Sequence, residues 1–99
     1  MPLYALIAKD KPNNVDQRLA VRPAHLVHLE SLGNKVVFAG AFQTEEARPT
    51  GSLVVIEAPN LTEATMLFEQ DPFVRQGVFH SYEITRWNWA INNPDKRGQ

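Results

Sequence analysis

Three side chains are candidates for acid–base chemistry: Arg22 and His25 within VRPAHLVHLE, and Asp71 within EQDPFVRQ. Histidine is the side chain that most readily gains or loses a proton near neutral pH. A carboxylate can orient an imidazole or share its proton, and an arginine can stabilise an anion beside it. Pro72 restricts the backbone next to Asp71, so that carboxylate is held at a rigid corner. The three residue types could therefore support acid–base chemistry, with an imidazole near neutrality, an arginine one turn away on the same helix and a carboxylate held at a corner remote in sequence.

Each of these residues also has an ordinary structural interpretation. A histidine at the margin of a core is commonly a packed, hydrogen-bonded residue, and an aspartate before a proline commonly caps or turns the chain. At helical spacing Arg18, Arg22 and His25 share one stripe, whereas His28 points elsewhere. The core stripe of the same helix is predicted to consist of four leucines, Leu19, Leu26, Leu29 and Leu32. Arg22 and His25 are then expected to flank the buried face.

Length and composition restrict the possible functions. The chain has 99 residues, enough for one domain, which we assign to residues 1–89, with a polar tail at 90–99. A net charge of −1, with acids and bases interspersed, does not fit a surface for nucleic acid or for anionic membranes. There is no cysteine. His25 and His28 are three residues apart, but no third metal ligand is placed with them, so we expect neither a metal nor another cofactor. The start lacks a basic leader segment and no apolar run could span a membrane, so we expect a cytoplasmic protein.

The order of apolar runs predicts the fold. Buried-strand patterns occur over 3–8, 35–42, 52–58 and 77–87. Helical patterns occur over 15–32 and 61–70. The order β-α-β-β-α-β is that of the ferredoxin-like α+β fold, in which a four-stranded antiparallel sheet carries both helices on one face.

The helix ends carry recognisable signals. Asn14 with Gln17 three residues later, and Asn60 with Glu63, are typical of capped helix N-termini. Pro23 lies inside the first predicted helix, where a proline removes a backbone donor. We expect a bend or an interruption there.

The strands themselves suggest a partner. LYALIA, VVFAGAF and LVVI are apolar at both parities, although an antiparallel sheet with one wet face should alternate. The helices cover only one face, and large exposed apolar patches are rare on monomers. We therefore predict a homodimer through the open sheet face.

Over residues 2–89 the sequence resembles the YciI-like (YCII-related) family. The resemblance is carried by R-x-x-H in RPAH, by DPFVRQGVF after the second helix, and by VVFAGAF and GSLVVIEA. It implies a dimeric α/β-barrel assembly of ferredoxin-like subunits with a His–Asp active site, here His25 and Asp71, with Arg22 beside them. The family includes a dehydrochlorinase of a chlorinated hydroxyquinol.

Three functional hypotheses remain. The first is an enzyme without a cofactor, in which the His–Asp pair catalyses elimination or isomerisation of a small anionic or phenolic compound, with Arg22 and Phe73 contacting the substrate. The second is a non-catalytic module that binds a small anion in the same pocket. The third is a purely structural dimer.

Overall fold

The computed structural model describes all residues 1–99, which form four strands and three helices. The strands are β1 (Leu3–Asp10), β2 (Val36–Gln43), β3 (Pro49–Glu57) and β4 (Phe79–Trp87). The helices are α1 (Val15–Leu32), α2 (Leu61–Glu69) and the short α3 (Pro72–Arg75), with a 3-10 turn at Gly33–Lys35. None of the helices is long and apolar enough to cross a bilayer.

The sheet confirms the predicted ferredoxin-like α+β fold. All neighbouring strands are antiparallel, in the order β2-β3-β1-β4. The main core lies on one face of the sheet, where alternate residues of β1 and β3 pack against the three helices. The strands contribute Tyr4, Leu6 and Val54, and the helices contribute Val21, Phe68 and Phe73. Helix α3 was not predicted, because its single turn is too short to show a period in the sequence.

Helix α1 has the predicted limits but a different buried face. Its buried residues are Arg18, Val21 and His25, whereas Leu19 and Leu26 are 55% and 40% exposed. The prediction of a leucine core stripe is therefore wrong for these two leucines. Leu29 packs against the core as predicted, and Arg18 and His25 face inward beside it because buried partners satisfy them.

Two details of α1 also differ from expectation. The helix continues through Pro23 without interruption. Asn14 holds the N-cap position, but its side chain makes no capping hydrogen bond: the Asn14 amide donates to the Val78 carbonyl at 3.1 Å, and the Gln17 amide donates to the Gln76 carbonyl at 2.8 Å. The two amides instead tie the start of α1 to the segment after α3. Asn60 does cap α2, since its side chain accepts from the Glu63 N–H at 2.9 Å.

The opposite face of the sheet is only partly covered. Leu3, Ala5 and Val55 are buried there beneath a cluster that includes Phe38, Trp87 and Trp89. The tail at 90–99 folds back at this end, where Arg97 Nε donates to Glu57 Oε1 at 2.9 Å. At the other end of the same face, Phe42 remains 44% exposed.

Gly51 marks a close approach between β3 and β1. A Cβ at this position would lie 2.2 Å from the backbone oxygen of Ala8, whereas a Cβ at Gly40 in β2 would meet nothing within 4 Å. We expect Gly51→Ala to lower the free energy of unfolding by about 1–3 kcal/mol, because the strands must separate. Gly40→Ala is the matched control and should change it by less than about 0.5 kcal/mol. Urea denaturation measures the free energy of unfolding of both variants, and equal losses would contradict the close approach at Gly51.

Candidate active site

His25 and Asp71, 46 residues apart, form a buried hydrogen-bonded pair. His25 Nδ1 lies 2.9 Å from Asp71 Oδ1 and 2.8 Å from Oδ2, and the two residues are 7% and 2% exposed. Asp71 is also the N-cap of α3, because its Oδ1 accepts from the Phe73 N–H at 2.9 Å. The cap fixes the carboxylate, and Pro72 at the first position of α3 fixes the backbone. The aspartate is thus both a helix cap and a partner of the histidine.

This pairing determines which imidazole nitrogen is available. An ionised carboxylate only accepts hydrogen bonds, so Nδ1 carries the proton that is donated to Asp71. In a neutral imidazole with this tautomer the lone pair is on Nε2, and no other group of the protein hydrogen-bonds to Nε2. The Phe73 ring stacks on the imidazole with centroids 3.9 Å apart and planes at 10°. Phe73 is fully buried, so the imidazole is held between a carboxylate and a rigid ring.

A second buried polar cluster lies on the same side of α1, and its contacts were not predicted from the sequence. Arg18 Nη1 donates to Asp10 Oδ1 and Oδ2 at 2.9 and 3.0 Å, and Nη2 donates to Ser52 Oγ at 2.8 Å. Its guanidinium lies 4.7 Å from the centroid of the Phe73 ring. The available signal was the spacing of seven residues between Arg18 and His25, which places both on one helix face. Nothing local indicated Asp10 or Ser52, which lie on β1 and β3.

Both clusters border one cavity of about 130 Å³ between α1 and the β2–β3 half of the sheet. The polar lining consists of Arg18, Arg22, His25 and Ser52, and the apolar lining includes Leu26, Leu29, Ala39, Ala41, Val54 and Phe73. Arg22 is exposed at the rim and forms no ion pair within the chain. Of the four residues predicted for the site, His25, Arg22 and Phe73 line this cavity, and Asp71 lies behind His25.

Other titratable groups lie outside this arrangement. The pKa of Tyr82 is raised above its usual value, chiefly because its hydroxyl donates a hydrogen bond to Glu69 Oε2 at 2.6 Å. Burial and the negative charge of Glu69 raise this pKa further. That phenol therefore stays protonated at neutral pH, on β4 and away from the cavity. His28 Nε2 lies 3.1 Å from the Leu67 carbonyl and joins α1 to α2. No group of three or more His, Cys, Asp or Glu side chains is placed to hold a metal ion.

Comparisons with known proteins give a consistent result. Residues 2–88 match the family of the YCII-related domain. An uncharacterised protein of Haemophilus influenzae is 40% identical over 84 residues, which cover 77% of this chain and 86% of that protein. Protein YciI of Escherichia coli is 32% identical over 90 residues, which cover 83% and 92%. The structure of 5-chloro-2-hydroxyhydroquinone dehydrochlorinase from Burkholderia phenoliruptrix, in complex with 2,5-dihydroxybenzoquinone, superposes with a TM-score of 0.80 at 30% identity, covering 89% of this chain and 95% of that one.

The Arg18–Asp10 pair has a testable energetic consequence. Arg18→Met should lower the free energy of unfolding by about 3–5 kcal/mol, because it leaves the Asp10 carboxylate buried without a partner. Arg22→Met, at the exposed rim, should change it by less than about 0.5 kcal/mol. The double variant Asp10→Asn/Arg18→Met should recover part of the loss, because the unpaired charge is gone. Urea denaturation of the three variants checks this, and a harmless Arg18→Met would refute the pairing.

Proposed function

The chain belongs to the YCII-related domain family, and on that premise we propose that it is a cofactor-independent enzyme acting on a small phenolic or anionic compound. His25 and Asp71 are its general acid–base pair. The observation that carries the proposal is the buried hydrogen bond between His25 Nδ1 and Asp71, which leaves Nε2 unoccupied at the wall of a cavity.

The first role is proton transfer. Neutral His25 takes a proton from the substrate on Nε2, and Asp71 stabilises the resulting imidazolium through Nδ1–H. In an elimination, the electron pair of the broken bond to hydrogen forms a new double bond, and the leaving group departs with its electrons as an anion. In an isomerisation, the same imidazolium returns the proton to another atom of the substrate.

The second role is stabilisation of negative charge on a substrate oxygen. Ser52 Oγ accepts from Arg18, and no acceptor within the protein binds the proton of Ser52. Both side chains line the cavity, so the Ser52 hydroxyl and the remaining Arg18 N–H groups can donate to an oxygen held there. Donation from Arg18 polarises the Ser52 hydroxyl and strengthens it as a donor. Asp10 neutralises Arg18 and fixes its orientation, so these donors are preorganised.

Two further residues contribute to substrate binding. Arg22 is an unpaired cation at the rim, suited to attract an anionic substrate. Phe73 supplies an apolar surface and supports the imidazole by stacking, so it acts mainly as a positioning residue.

The similarity to the dehydrochlorinase favours elimination from a hydroxylated ring. That protein is named for acting on 5-chloro-2-hydroxyhydroquinone and is complexed with 2,5-dihydroxybenzoquinone. Ring oxygens of this kind match the donors of Ser52 and Arg18. On an aromatic ring, His25 first moves a proton from a ring hydroxyl to the carbon that bears the leaving group, which gives a ring ketone. His25 then takes the proton of a second hydroxyl, whose electrons form a new C=O bond as the leaving group departs as an anion.

We expect His25→Ala to lower kcat/KM for 5-chloro-2-hydroxyhydroquinone at least about 100-fold, because the base is removed. Asp71→Asn should lower it to a similar degree, because the amide no longer selects the Nδ1–H tautomer. Chloride release measures the rate. The matched control is His28→Ala. His28 lies about one turn further along α1 and outside the cavity, so this variant should keep near wild-type activity.

The outcomes separate the functional hypotheses. Tight binding of 2,5-dihydroxybenzoquinone without turnover of any chlorinated or lactone substrate would point to the non-catalytic binding module. Equal activity in wild type and His25→Ala, in protein that remains folded, would refute the proposed base. Loss of activity only in parallel with loss of folding would support a structural role.

We further propose that two copies associate through the open sheet face. Support comes from the end of this face that the tail does not cover, which has two shallow depressions. Ile7 and Phe42 border the first. Ile7, Lys9 and Glu83 border the second. Charged residues around an apolar centre are typical of a self-complementary contact.

Sedimentation equilibrium should therefore give a mass about twice the chain mass of 11.2 kDa. Phe42→Glu should raise the dimer dissociation constant at least about tenfold, because it buries an unpaired carboxylate. The control is Met66→Glu on α2, which is 58% exposed on the helical side and should not affect the mass. A wild type that sediments as a monomer at all concentrations would exclude this assembly.

A further inference from the structure

The dimensions of the cavity indicate which sizes of substrate it can accept, an inference that rests on the proposed function. We infer that the cavity accepts a single six-membered ring and rejects fused bicyclic rings, with the limit set by Ala39 on β2 and Leu26 on α1. Size selection would thus be separate from the residues that move protons or stabilise charge.

The cavity volume gives the first argument. Its volume of about 130 Å³ is slightly below that of an engineered cavity of about 150 Å³ that binds benzene. One ring with small substituents therefore fills the space. The polar groups further restrict it, because Ser52 and Arg18 hold a ring oxygen while His25 faces the reacting atom. A second fused ring must then extend through the gap between α1 and β2.

The β2 wall is already built from the smallest side chains, so the gap can be widened only from α1 and narrowed only from β2. Ala39, Gly40 and Ala41 border the cavity, and all three are exposed because no helix covers this part of the edge strand. Ala39 pairs with Val54 and Ala41 with Ser52, so both alanines lie on the helix-bearing face. Atoms added to Ala39 would enter the cavity and would not overpack the core. Valine also suits a strand, so this position can be enlarged without loss of the fold.

The α1 wall is closed by a leucine that contributes little to the core. Leu26 borders the cavity and is 40% exposed. Truncating it widens the gap at small cost in stability. Leu19 on the same helix is 55% exposed and does not border the cavity, so it provides a matched control.

Binding of two matched probes tests the inference without requiring turnover. Catechol and 2,3-dihydroxynaphthalene carry the same adjacent hydroxyls and differ by one fused ring. We would measure their dissociation constants by calorimetry, with displacement of 2,5-dihydroxybenzoquinone to confirm binding at this site. Wild type and Leu19→Ala should bind catechol at least about tenfold more tightly than the bicyclic probe. Leu26→Ala should bring the two constants within about threefold, and Ala39→Val should weaken catechol binding about tenfold.

Each result decides between definite alternatives. Equal binding of both probes by wild type, or an unchanged ratio in Leu26→Ala, overturns the size limit and leaves the proposed acid–base function intact. If wild type binds neither catechol nor 2,5-dihydroxybenzoquinone, the proposed phenolic substrate class fails, and this inference fails with it.

Discussion

The structure depends on how two basic side chains are accommodated on the buried face of α1. Charged or polar groups in a core are tolerated when partners satisfy them. Arg18 has Asp10 and Ser52, and His25 has Asp71, with distances of 2.8–3.0 Å. These partners come from β1, β3 and the corner before α3, so the pairing fixes the rotation of α1 relative to three other parts of the chain.

The same arrangement produces the cavity. With Arg18, Val21 and His25 turned inward, α1 leaves the edge strand β2 uncovered, and the space between them is bordered by small residues on one side and Leu26 on the other. The buried polar groups lie beside this space and keep unused hydrogen-bonding capacity toward it. The interactions that satisfy the polar groups of the core are therefore the same ones that hold the Arg18 and Ser52 donors and the His25 imidazole at the cavity wall.

The two faces of the sheet have different functions in this fold. The helix-bearing face holds the main core and the cavity, whereas the opposite face holds a smaller aromatic cluster with Phe38, Trp87 and Trp89 at one end. Arg97 and Glu57 attach the tail at that end. The apolar strands predicted to be covered on both sides are thus partly covered by the chain itself, which leaves the Phe42 end for the proposed partner copy.

Local patterns in the sequence determined the order of the elements, the limits of α1 and the Asn60 cap. They also singled out His25 and Asp71 as candidates, because a histidine on a helical stripe and an aspartate fixed by a following proline are visible within a few residues. The inward face of α1, the short helix α3 and the roles of Asp10, Arg18 and Ser52 required the tertiary structure. Leucines occur on several sides of α1, so periodicity alone could not select its buried face. Contacts between residues 8 to 46 positions apart satisfy the buried polar groups, and only these contacts decided that Arg18 and His25 face the core while Leu19 and Leu26 do not.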